Sequence, residues 1–120
     1  MGDLEPIMFP GGRGNLARKP APSVTFERSE LDQILDLYCR KVAAGEWRDY
    51  AISFLRDRAV FSVFRRAAEL PVYCIEKNLA LARRQGAYAV VAASGHVLKR
   101  GPDLHRVLRA IDPNLRIAAN

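Results

Sequence analysis

Near Gly45 the hydrophobic pattern of this chain changes its period. Before that glycine, Leu31, Ile34, Leu35, Tyr38 and Val42 recur at helical spacing. After it, Tyr50, Ile52 and Phe54 alternate with Ala51 and Ser53, and Phe61 and Val63 alternate with Ser62 and Phe64. Side chains return to one face of a helix about every 3.6 residues, and to one face of a strand about every two. A chain that makes this switch and then continues as strands belongs to the α+β class.

The spacing predicts the elements in order. Val24 and Phe26, alternating with Thr25 and Glu27, predict a short first strand. Ser29 reads as the N-cap of a helix, with Asp32 as its weak capping-box partner. Glu30, Asp32 and Asp36 come early in that helix and Arg40 and Lys41 late, which complements the helix dipole. Gly45 suits its end, where a positive φ costs glycine little. Three strands should follow: one from Arg48 through Phe54, one over Val60–Arg66, and one over Val72–Lys77. Arg56-Asp57-Arg58 and Ala67–Pro71 connect them, and Leu79–Gln85 reads as a short helical or irregular link. Tyr88–Ala93 and His96–Arg100 read as a hairpin around a two-residue Ser94-Gly95 turn. In that register Val91 faces Leu98 and Ala92 faces Val97. A last helix carries Leu104, Val107, Leu108 and Ile111 on one face and stops at Pro113. The expected architecture is β-α-β-β-β-β-β-α, mainly an antiparallel sheet with two packed amphipathic helices over one face. Whether the second face is solvated or covered stays open.

At 120 residues and 49% apolar content the chain supports one domain with its own core. Residues 1–22 are rich in proline and glycine, have few apolar side chains, and read as a flexible tail before a single domain over 23–120. No stretch approaches the roughly 18 apolar residues of a membrane span, and no signal layout opens the chain. A cytoplasmic location is expected. Cys39 and Cys74 fit no metal-ligand spacing and suit a reducing compartment. Neither a cofactor nor a metal is expected.

The net charge is +6, and fifteen of the nineteen basic residues are arginine. Arginine presents a planar donor fork that fits phosphate and carboxylate. The basic residues at strand ends and connections are therefore the leading candidates: Arg48, Arg65, Arg66, Lys77, Arg83, Arg84, Lys99 and Arg100. If they converge they could track a phosphate backbone, with Phe61, Tyr73 or Tyr88 stacking a base where exposed. RNA or DNA is the first partner class, and an acidic protein would use the same chemistry. The competing reading is a solvated charged rim over buried aromatics. A catalytic reading rests on Glu46 and Asp49 with His96 or His105, but no motif joins them, and a helix-to-strand junction explains the carboxylates as well. A protein-interaction or homodimer module using a sheet edge or face is the alternative. An enzyme comes third.

Longer runs carry a resemblance. They are Glu30-Leu31, Ile34-Leu35, Tyr38, the run Lys41 to Ile52, the run Ala59 to Arg66, Pro71 with Tyr73, and Ile75-Glu76-Lys77. They continue in Ala82-Arg83-Arg84-Gln85-Gly86, Leu98 to Gly101 and Asp103-Leu104. On these residues, spanning about 24–111, the chain resembles the bacterial family known as domain of unknown function 2794. The resemblance implies no activity and carries over no site residue. The chain departs from the family pattern at Cys39, Cys74 and Pro102, where glycine, a basic residue and histidine are expected. That argues against a shared cysteine chemistry.

Overall fold

The computed structural model describes residues 23–66 and 70–115. The expectations for residues 1–22, and for most of the Ala67–Pro71 turn, lie outside the described residues. The elements are helix α1 (Arg28–Ala43), strands β1 (Asp49–Phe54), β2 (Ala59–Phe64) and β3 (Tyr73–Lys77), a 3-10 turn (Leu79–Leu81), strands β4 (Tyr88–Ala92) and β5 (Val97–Gly101), and helix α2 (Leu104–Leu108). The strands form one five-stranded sheet in the order β1-β2-β3-β4-β5, each pair antiparallel. Short connections leave consecutive strands as neighbours, and a meander is the result. The α+β class and the two packed helices stand as the periodicity indicates.

Three local expectations are corrected. Val24 to Phe26 is extended but joins no ladder. Its Val24 N–H makes one bond, to the Leu55 carbonyl at 3.0 Å, while Phe26 turns into the core. Two apolar residues suffice to pack, and the element order becomes α-β-β-β-β-β-α. The N-cap of α1 is Glu27, not Ser29. The Glu30 carboxylate reaches back to accept the Glu27 N–H at 2.7 Å, so the helix starts two residues early. The third correction is in the β4–β5 register. Tyr88, Ala89 and Val90 face Gly101, Arg100 and Lys99, but a bulge then sets Val91 against Val97. The loop accordingly runs through Ala93-Ser94-Gly95: Gly95 takes φ +92° and its N–H closes on the Ala92 carbonyl at 2.8 Å. One extra loop residue is absorbed by one extra strand residue.

At the end of α1 the chain turns as Gly45 implies. Gly45 adopts φ +78°, its N–H bonds the Val42 carbonyl, and the Glu46 N–H bonds the Lys41 carbonyl, both at 2.9 Å. This pattern satisfies the last helical carbonyls and drops Trp47 into the core at 3% exposure.

Alternation decides which sheet face the helices cover. Phe61, Val63, Ile75 and Val90 are fully buried, as are Ile34 and Leu37 of α1 and Val107 and Leu108 of α2. The opposite face carries Ala51, Ser53, Val60, Ser62, Phe64, Cys74, Glu76 and Val91, and no described element packs over it. No helix among the described residues is long and apolar enough to cross a membrane.

Candidate anion-binding site

The eight basic residues proposed from the sequence divide among four places. Arg48 opens β1 and Arg65-Arg66 close β2, and the Asp49–Phe64 pairing puts all three at one end of the sheet, exposed. Arg83 and Arg84, also exposed, lie in the β3–β4 connection. That connection is at the other end, about 15–20 Å away along strands of five or six residues. Lys99 and Arg100 share β5 but point to opposite faces. Lys77 belongs to no surface. It is 5% exposed, and its ammonium donates to the Glu30 carboxylate at 2.7 Å and to the Thr25 carbonyl at 3.0 Å.

That buried cluster is completed by Tyr88, whose hydroxyl donates to the second carboxylate oxygen of Glu30. Burial works against the Glu30 charge, yet the hydrogen bonds from Lys77, Tyr88 and the Glu27 amide outweigh it. Its carboxyl therefore lies below the ordinary value. Burial, and then the Glu30 carboxylate as acceptor, push the Tyr88 phenol well above its ordinary value. Glu30, Lys77 and Tyr88 are thus joined through both oxygens of the Glu30 carboxylate. The effect is to tie the start of α1 to β3 and β4.

The groups invoked for catalysis do not converge. Glu46 is exposed and pairs with Lys41 at 3.3 Å. Asp49 is exposed and accepts the Tyr50 N–H at 3.0 Å. His96 sits in the β4–β5 turn, several strands from β1, or about 15–20 Å at the usual strand spacing. His105 lies on α2, which follows the far end of β5.

Cations do converge at the junction of β5 and α2. Lys99 faces Val90 in the ladder and so points to the helix-covered side. There it meets Arg106, Arg109, Ala110 and Pro113 around a groove of about 450 Å³. The Arg109 guanidinium is fixed at the rim, donating through Nε and Nη2 to the Pro113 carbonyl at 3.3 and 3.0 Å. Arg106 is widely exposed and keeps a loose contact of 3.7 Å with Asp103. A second recess of about 400 Å³ runs on past Lys99 and Arg106 to Arg100, Pro102 and Asp103. Asp103 spends one carboxylate oxygen on the His105 N–H at 3.0 Å, starting α2. Three cations against one committed carboxylate make a groove suited to anions.

Sequence reasoning found Lys99 and missed Arg106 and Arg109. Their signal is the i, i+3 spacing on the side of α2 opposite Leu104, Val107 and Leu108. Only the packing of α2 against β5 shows that this side meets Lys99.

Neither a curated protein nor a solved structure matches the chain. A family model described as "Protein of unknown function (DUF2794)" matches residues 24–108. The match runs from the segment before α1 to the end of α2 and spans all five strands. By that coverage, the chain belongs to the DUF2794 family.

Proposed function

We propose that this domain is a non-enzymatic binding module for an anionic partner. A nucleic-acid backbone is the leading class and the bacterial cytoplasm the setting. The observation that carries the reading is the groove where Lys99, Arg106 and Arg109 meet. Phosphate oxygens suit it because arginine offers paired donors and because the +6 charge favours encounter with polyanions. Among the described residues no aromatic side chain lines the groove. Phe61 is buried, and Tyr73 and Tyr88 are packed against the core. Contacts would therefore be to phosphates and not to base faces, and sequence preference should be weak.

Fluorescence anisotropy with a labelled single-stranded RNA tests the reading. Three phosphate contacts predict an affinity that falls with salt at a log–log slope of about −2. The double variant Arg106→Ala/Arg109→Ala should weaken binding at low salt by about tenfold or more and flatten the slope. An absence of binding at low salt, or binding indifferent to salt, would refute it.

A further inference from the structure

Strand β1 is one edge of the sheet and β5 is the other. Exposed edges invite pairing with another chain, and proteins blunt them with bulges, prolines or charges. The β5 edge is guarded in this way, by its bulge at Val90/Val91 and by Lys99 and Arg100. The β1 edge is not. Asp49–Phe54 pairs with β2 over six residues without a break, contains neither lysine nor proline, and bears one charge at its first position.

The direction of its peptide groups follows from the ladder, and among the outward ones the Tyr50 N–H is already held by the Asp49 carboxylate at 3.0 Å. The Leu55 N–H bonds the Arg58 carbonyl at 2.8 Å, and Leu55 continues the register in which Phe54 faces Ala59. The Leu55 N–H, and by alternation the peptide groups of Ser53, Ala51 and Asp49, therefore point toward β2, while the Leu55 carbonyl accepts the Val24 N–H at 3.0 Å. By the alternation of an antiparallel ladder, Tyr50, Ile52 and Phe54 direct theirs outward. The side chains of the same three residues lie on the helix-covered face, yet the helices do not reach them fully. Tyr50 is 43% exposed and Phe54 48%.

We propose that β1 pairs antiparallel with β1 of a second copy across a two-fold axis at Ile52, merging two five-stranded sheets into one. The outward set is symmetric about Ile52, so that residue meets its own copy while Tyr50 meets Phe54 of the second copy. Antiparallel self-pairing is isologous by construction. The ends of the pairing are balanced in charge. Each end holds Arg48 and Asp49 of one chain and Arg56 and Asp57 of the other and so sums to zero, with Arg48 across from Arg56 and a carboxylate beside each, although the whole molecule carries +6. The chain's own N-terminal stretch is the less suited occupant. It reaches the edge at Val24, but Pro20 and Pro22 have no N–H to give a ladder.

Two measurements on the full-length protein test this. Sedimentation velocity from about 1 to about 500 µM should show a monomer–dimer equilibrium. Amide exchange over the same range should show the Ile52 and Phe54 N–H groups becoming protected as concentration rises. Phe54→Pro removes an outward N–H and leaves the β2 ladder whole; Phe54→Lys keeps the N–H and adds a guard charge. Each should weaken dimerisation by about tenfold or more. A monomer throughout overturns the proposal. So does a dimer unaffected by both variants, a dimer whose Ile52 and Phe54 amides stay unprotected, or full protection of those amides in a protein that sediments as a monomer, which would mean an intramolecular cover.

Discussion

Gly86 shows how little space some positions allow. It adopts φ +98°, and a Cβ there would stand 2.1 Å from the Gly101 carbonyl carbon. Gly95 has a similar φ, +92°, but nothing within 4 Å of that point. Gly86→Ala should therefore cost about 3 kcal/mol or more by urea unfolding. Gly95→Ala should cost only the backbone penalty, about 1 kcal/mol, and equal losses would contradict the close approach. Glu30 and Tyr88 set a pH dependence at the same scale. The folded Glu30 carboxyl lies below its ordinary 4.5, so its contribution is full above that value and lost as pH falls through the lower, folded one. The folded Tyr88 phenol lies above its ordinary 10.0, so its contribution is full below pH 10.0 and lost as pH rises further. Unfolding midpoints from acid to alkaline pH should fall at both ends, and Tyr88→Phe should reduce the alkaline fall, leaving the part due to Tyr38, whose phenol is also raised by burial. An unchanged alkaline limb in that variant would count against the assignment.

Among the elements, the Glu30–Lys77 pair joins a helix start to a strand end. Removing one member leaves a buried, uncompensated charge, which costs about 3–5 kcal/mol. Lys77→Met alone should lose that much, and adding Glu30→Gln should recover most of it. The cycle is read by urea unfolding, and additive losses would mean that the pair is not coupled. In the sequence Lys77 resembled any strand-end cation, because its partner lies 47 residues away. Periodicity within a strand states which side a residue faces but not what arrives there. The same limit hides the groove: the sequence contains the spacing of Arg106 and Arg109, but not the strand that their helix meets. The early start of α1 was missed for a related reason, since the Glu30 carboxylate serves both the cap and Lys77.

For the whole molecule, net charge and charge placement make different predictions. Arg83→Ala/Arg84→Ala lowers the charge by the same two units as Arg106→Ala/Arg109→Ala, but outside the groove. If RNA affinity falls equally in both, bulk charge accounts for binding and the groove does not. The sequence by itself determined the helix-to-sheet switch at Gly45, the strand meander and the buried stripe, because each follows from local spacing and from connections too short for any pairing but antiparallel. Only the tertiary structure decided that Lys77 is internal, that no described element covers one sheet face, and that Lys99 gains two arginines. Those outcomes depend on which surfaces meet across many residues of chain, and a contact of that kind leaves no period in the residues that make it.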